Sequence, residues 1–382
     1  MRPILLVLFL DVLAYSMLAP LLPTVLRTLA GADTPTAWLA GVLGACYAGM
    51  QLLSGPLVGI LSDRYGRRPV LLACQAGTLL AFVLLANAWS VEVLFAAVLI
   101  DGLTGGNQTT AHAAIADLSS AEKRAHHLAL AGAAFGLGAT IGPALGALLA
   151  TIGASIPIAA CVIAAASLAI TCIRVPESRP TRSAAAVTTR VLRQHPKVLL
   201  LLAAIFSANL SFVGLQANFS IFSADRFSWT MRETSAFFAC IGICAVFTQG
   251  LLLPRVQRRL HERTLVLGGL PLLAAGLLGI ALTPDPRGLF AAAAAAALGS
   301  GLALPTLSAV AVGAAEEQRG LLMGATQSLH AIASILAPLS AGAAYEFIGT
   351  GAPYLIGSAC ALVAAGIAAC ALHSSFAKTT HL

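Results

Sequence analysis

Apolar runs about as long as a membrane-spanning helix recur along the whole chain, separated by short charged or Pro/Gly-rich punctuation. They fall at approximately 4–28, 37–61, 69–90, 93–117, 126–150, 155–174, 198–223, 234–254, 264–283, 288–313, 320–345 and 352–373. A helix crossing a bilayer needs roughly 20 predominantly apolar residues, so the pattern predicts twelve spans. The long polar stretch 175–197, VPESRPTRSAAAVTTRVLRQHPK, falls at mid-chain. It marks a first six-helix bundle over 1–174, a cytoplasmic linker over 175–197 and a second six-helix bundle over 198–382. The expected fold class is an all-α membrane protein with twelve transmembrane helices.

Composition narrows the function. Of 382 residues 58% are hydrophobic and only 10% charged, with a mean hydropathy of +0.89, whereas a soluble domain carries about 25% charged residues. A cytosolic enzyme, a nucleic-acid module and a disordered chain are excluded. The net charge of +7 is a matter of topology: with the N-terminus inside, all of the 22 basic residues except Arg27, Arg226, Arg232 and Arg287 fall on the cytoplasmic side. Because cytoplasmic loops carry the excess of Lys and Arg, both termini are expected in the cytoplasm. The first run, MRPILLVLFLDVLAYSML, starts like a signal peptide but holds Asp11 and continues to about Leu29, so it reads as a retained helix. The eight cysteines show neither CxxC pairs nor ligand-like spacing to histidine. They read as small buried hydrophobes, with no metal, cofactor or disulfide expected.

An internal repeat accompanies the two halves. One ungapped shift of 195 residues lays Gly55 on Gly250, Arg68 on Arg263, the LFAA at 94–97 on that at 289–292, Gly106 on Gly301, Glu122 and Arg124 on Glu317 and Arg319, and Pro143 on Pro338. Repeats of this kind are characteristic of transporters.

The loop after the second run reads GILSDRYGRRPVL, 59–71. Glycine serves where backbone turns tightly, and arginines pair with acids on neighbouring helices; a generic basic loop obeying the charge rule is the plainer alternative. The spacing G-x-L-x-D-R-x-G-R-R strongly resembles the signature of the major facilitator superfamily. That resemblance implies a conformational latch built from Gly59, Asp63, Arg64, Gly66, Arg67, Arg68 and Asp117, with Asp63 facing the eleventh helix and Arg67 pairing with Asp117. In the second half Arg258 stands where Asp63 would repeat, and the signature has decayed.

GLGATIGPALGALL at 136–149 carries Gly138, Gly142 and Gly146 four apart beside Pro143, a face that permits close helix packing. It is similar to the G-x-x-x-G-P-x-x-G element of the superfamily's proton-coupled exporters. In the first helix, Asp11 lies about 12 Å into a hydrocarbon core of about 30 Å, a costly depth unless it faces water or a partner. A structural pair and a functional site are both open on that evidence. The spacing D-x(8)-P-x-x-P, from Asp11 to Pro20 and Pro23, resembles the first helix of tetracycline-type exporters. AVLIDGLTGGNQTTAHAAIADL, 97–118, is similar to their fourth helix at Asp101, Gly102, Thr104, Gly105, Gly106, Asn107 and Asp117. Its departure is Val98, where the family carries the arginine linked to proton coupling.

Tyr15, Asn107, Gln108, His112, Asn209, Gln216, Gln327 and His330 place further polar groups in apolar runs. They line a wet path or make interhelical hydrogen bonds. The resemblance implies alternating access by two bundles exporting a lipophilic or amphipathic small molecule against protons, with Asp11 and Asp101 as the titrating groups. It also implies a monomer in a bacterial plasma membrane, partnered by lipid, protons and a small-molecule substrate but no nucleic acid. The alternatives are an importer or uniporter without proton coupling and a transporter-like sensor; no catalytic motif supports an enzyme.

Overall fold

The computed structural model describes residues 2–31, 34–178, 196–314 and 319–373. Positions 179–195 of the expected linker, Glu317 of the repeat and Lys378 of the charge count lie outside them. Every regular element among the described residues is helical. In order these are α1 (Arg2–Leu18), α2 (Leu22–Ala30), α3 (Thr36–Tyr65), α4 (Arg67–Ala86), α5 (Val91–Thr104), α6 (Asn107–Asp117), α7 (Ala121–Thr151) and α8 (Ile156–Arg174). There follow α9 (Pro196–Ala217), α10 (Phe219–Phe227), α11 (Met231–Phe247), a π-helical turn (Thr248–Leu252), α12 (Leu253–Val256), α13 (Glu262–Leu282), α14 (Pro286–Gly313), α15 (Arg319–Phe347) and α16 (Ala352–His373).

Eleven helices among the described residues are long and apolar enough to cross a membrane. The expected run 93–117 supplies the remaining one as two shorter helices, α5 and α6, set end to end across Gly105 and Gly106. The interruption comes from close packing: a Cβ on Gly102 would lie 2.7 Å from the Tyr47 carbonyl oxygen, and one on Gly106 would lie 2.6 Å from Val58 Cβ. Glycine lets this segment press against α3. The first run is also interrupted, at 19–21, where Pro20 has no N–H for the ladder and its ring would clash one turn back. Pro23 then sits within the first turn of α2, where proline is tolerated.

The helix starts reproduce the repeat. α3, α4 and α5 begin at 36, 67 and 91, and α11, α13 and α14 begin at 231, 262 and 286, the same 195-residue spacing each time. The break near residue 20 has its counterpart at Asn218, between α9 and α10.

Burial is that of a protein whose outer surface meets lipid. Leu53, Ile60, Val162 and Ile173 are 59%, 66%, 63% and 75% exposed, an apolar exterior that water would not tolerate in contiguous patches. This also corrects the reading of the cysteines as buried. Cys74 is buried, five are half-buried, and Cys172 and Cys370 are exposed, because a thiol on the outward face of a spanning helix is solvated by lipid as readily as by a core.

Contacts divide the chain into one unit of 1–184 with 223–242 and another of 185–222 with 243–382. In the first, the glycine stripe of α7 packs on α1: a Cβ on Gly138 would lie 2.8 Å from the Phe9 carbonyl oxygen, and one on Gly142 would lie 2.0 Å from Ser16 Oγ. Gly146 meets Met17, and Pro143 is buried within the same helix. Ser16 donates to the Gly138 carbonyl at 2.9 Å. In the second unit, α13 and α14 approach through Gly276 and Gly299, each of whose Cβ atoms would lie 2.4 Å from backbone nitrogen of the other helix. Around that seam Leu270, Leu307, Ala303 and Ala364 bury a continuous core with α9 and α16.

Candidate functional site

Two acids occupy the apolar interior of the first unit, and their surroundings differ. Asp11 on α1 is partly buried and receives donors from three other helices. Ser167 Oγ of α8 donates to Oδ1 at 2.6 Å, Asn107 Nδ2 of α6 donates to Oδ2 at 3.0 Å, and Gln75 Nε2 of α4 reaches both oxygens at 3.3 Å. Gln75 also donates to Ser167 Oγ at 2.9 Å, which ties two of the donors to each other. The Gln75 Oε1 atom is buried without a partner. Gln108 completes the edge of this cluster by donating its backbone N–H to Asn107 Oδ1 at 2.8 Å.

Asp101 on α5 is buried, with 9% exposure, and Thr78 of α4 is its hydrogen-bonding side chain. It lines a small cavity together with Tyr15, Leu18, Leu22, Tyr47, Ala81, Phe82, Leu85, Ala97 and Val98. Tyr15 and Tyr47 stack there, with centroids 5.0 Å apart and planes 12° from parallel. Gln51 holds the outer ring by donating to Tyr47 Oη at 3.4 Å. Neither acid has a cationic partner among the described residues, whose three ion pairs lie elsewhere. Val98, at the position of the family arginine, is a buried apolar wall of the cavity.

The loop signature forms a compact charged turn at the end of α3. Gly66 adopts φ +100°, a conformation that side-chain-bearing residues avoid. Arg67, 8% exposed, donates Nε to Asp117 Oδ2 at 2.9 Å, and its Nη1 lies 2.6 Å from Asp63 Oδ1 and donates to Ser62 Oγ at 2.6 Å. Gly59 offers its carbonyl to Ser62 Oγ at 2.9 Å. Arg64 is exposed and lies over the Tyr65 ring. Arg68 donates to the Cys172 carbonyl, and its backbone N–H donates to Glu177 Oε1 at 3.3 Å. The Arg67 N–H donates to the Ser178 carbonyl at 3.2 Å, so the start of the expected linker is bound to the turn.

The other polar residues separate into groups. In the second unit, His330 Nδ1 and Asn209 Oδ1 are 2.8 Å apart, and Asn209 also donates to the Ile205 carbonyl at 2.8 Å. Gln216 and Gln327 are exposed, and His112 is half-buried in the first unit. Glu177, Ser62, Gln75, Ser167, Tyr47 and Thr78 were not singled out from sequence. A glutamine inside VLLACQAGTLL is itself a signal of a buried partner; the small hydroxyl residues give none, because Ser and Thr are common in spanning helices.

A family model described as Major Facilitator Superfamily matches residues 4–288. Among curated relatives, the class C tetracycline resistance protein of Escherichia coli is 32% identical, over 93% of this chain and 92% of its own length. The class G protein of Vibrio anguillarum is also 32% identical, covering 90% and 89%. Among solved structures, the human organic anion transporter MFSD10 (TETRAN) superposes with a TM-score of 0.71 at 26% identity, covering 96% of this chain and 98% of that one.

Proposed function

The chain belongs to the major facilitator superfamily, and on that footing we propose that it exports a lipophilic or amphipathic small molecule in exchange for protons. It is a transporter of the tetracycline-exporter-like type and not an enzyme. The moving bodies in this reading are the halves 1–174 and 198–382, joined by 175–197, with both termini cytoplasmic in a bacterial plasma membrane and the protein working as a monomer. Alternating access exposes a central site to each side in turn.

The observation that carries the reading is Asp101: a buried carboxylate without a cation beside it among the described residues, opening on a cavity. An uncompensated charge at membrane depth is costly, so a proton or a positively charged ligand must supply the counter-charge. Asp11 is the second candidate. Its donors are arranged for an ionised acceptor, and the partnerless Gln75 Oε1 is available to accept from a protonated Asp11 after the amide turns over. Arg67 and Asp117 form the latch in this reading, and Asn209 with His330 is the cavity candidate of the second half.

Proteoliposomes with an imposed pH gradient test the reading, screened over tetracyclines and other amphipathic compounds. Driven accumulation is expected for at least one compound, with opposite proton flux. Asp101→Asn should abolish accumulation of a neutral substrate and leave its downhill equilibration intact. Val98 favours a second reading, transport without protons; equilibration without accumulation in the native protein would select it.

A further inference from the structure

The turn between α12 and α13 has kept the charge of the signature loop and lost its internal partners. Asp63 and Asp117, the two acids that hold Arg67, fall on Arg258 and Val312 when the chain is shifted by 195 residues. The segment 255–263 carries four arginines, at 255, 258, 259 and 263, against one acid. That acid, Glu262, stands in the first turn of α13, where a helix N-terminus favours negative charge. Arg255 donates to the Leu251 carbonyl at 2.8 Å, and Arg263 lies 3.1 Å from His373 Nδ1. None of the four has an ion-pair partner among the described residues. The charge rule for cytoplasmic loops accounts for basic residues here, but not for the loss of both acids. The turn itself is well formed: the backbone N–H groups of Arg259 and Leu260 donate to the Val256 carbonyl at 3.0 and 2.8 Å. Arg258 and Arg259 are both exposed on it.

These arginines end an exposed stripe. Ile243, Phe247, Leu251 and Arg255 follow one another at four-residue spacing, and the three apolar members are 61%, 51% and 49% exposed. At 1.5 Å per residue the apolar part runs for about 12 Å before the positive charge begins. Hydrocarbon covers the first part, and a phosphate accepts from the guanidinium groups of the second. A soluble phosphate would leave the stripe bare, and a lipid without net charge would leave the arginines uncompensated. We propose that this face of the second unit is a binding site for an anionic phospholipid, its acyl chain along Ile243, Phe247 and Leu251 and its phosphate on Arg255, Arg258 and Arg259. Clusters of four or more basic residues at the end of a spanning helix recognise anionic headgroups in this way. The site shares no residue with the export reading and requires no proton exchange.

The test is a titration of the purified full chain with phosphatidylglycerol and with phosphatidylcholine of the same acyl chains, lipid-bound species being counted by native mass spectrometry. Phosphatidylglycerol should bind about tenfold tighter. The pair Arg258→Gln with Arg259→Gln should bring the two lipids close to equal. The pair Lys123→Gln with Arg174→Gln, which removes two exposed cations of the first unit, should keep the preference. Leu251→Ser should weaken both lipids alike, and Leu251→Ala should do so to a smaller extent if the serine variant does not fold. Equal binding of the two lipids by the native protein, an undiminished preference in the arginine pair, or an equal loss in the first-unit pair would overturn the proposal. Unchanged affinity in both Leu251 variants would overturn the place given to the acyl chain. Millimolar glycerol phosphate, which has the charge without the chain, should not displace phosphatidylglycerol; displacement would assign the arginines to a soluble phosphate and overturn the lipid site.

Discussion

Asp11 and Asp101 lie on two helices of one unit, α1 and α5, and each is a carboxylate in an apolar run without an ion-pair partner among the described residues. Asp11 is held by Ser167, Gln75 and Asn107, which join α1 to α8, α4 and α6. Asp101 has Thr78 and a cavity. The same chemical group thus serves two physical ends. A saturated acceptor ties helices together, and one with fewer donors leaves part of its accepting capacity unused. The contrast teaches that two carboxylates in apolar runs of one unit can differ in how many donors the fold already directs at them.

Removing the carboxylates should separate the two most clearly. Asp11→Ala leaves Ser167, Gln75 and Asn107 facing a gap, with Gln75 and Ser167 still bonded to each other; at about 1–3 kcal/mol for each donor left unpaired, a loss of roughly 2 kcal/mol or more is expected in thermal unfolding of the purified protein. Asp101→Ala leaves the Thr78 hydroxyl its 3.4 Å contact with the Thr104 hydroxyl and should cost about 1 kcal/mol or less. Equal destabilisation by the two would break the comparison.

The next largest effect concerns the seam that sets the register of α1, and hence the reach of Asp11. Gly142→Ala puts a methyl 2.0 Å from Ser16 Oγ and 2.8 Å from the Leu13 carbonyl oxygen, overpacking that costs about 1–3 kcal/mol. Gly136→Ala, with nothing within 4 Å of the new Cβ, should be neutral or stabilising by up to about 1 kcal/mol. Thermal unfolding of the pair reads the difference, and identical shifts would mean that α7 does not position α1.

The proposed latch offers a smaller version of the same contrast, since Arg67 is shared by an enclosed and an exposed acid. Asp117→Asn weakens the inner contact and should increase labelling of cysteines placed at the facing ends of α4 and α6. Asp63→Asn removes a pair whose acid is 55% exposed, worth less than about 1 kcal/mol, with a correspondingly slight change in labelling. The double exchange Arg67→Asp with Asp117→Arg should recover part of the loss. No recovery would restrict the loop to a role in insertion topology.

The fold was largely legible because lipid makes the rules simple: a span must be long, apolar and helical, so run length and loop charge suffice. The interruption at Gly105–Gly106 was not, since the run 93–117 stays apolar throughout and only the approach of Tyr47 and Val58 explains it. The pairing of Arg67 with Asp117 followed from the resemblance and is met at 2.9 Å. The donors around Asp11 stayed hidden because they lie 64 to 156 residues away, and no local pattern links a serine in α8 to an aspartate in α1. Tyr15 was singled out, but Tyr47, which stacks on it, was not; aromatic partners on separate helices leave no spacing to read.

The unequal exposure of the two acids at Arg67 makes the turn responsive to ionic strength. Counter-ions at physiological concentration screen charges beyond about 8 Å in water, and buried pairs much less. Asp63 stands in reach of those ions, whereas Asp117 is 19% exposed and Arg67 8%. Added salt therefore weakens one arm of the guanidinium and spares the other, drawing Arg67 away from its own loop and toward α6. The grip between α4 and α6 should consequently persist, or tighten, under conditions that loosen an ordinary surface ion pair.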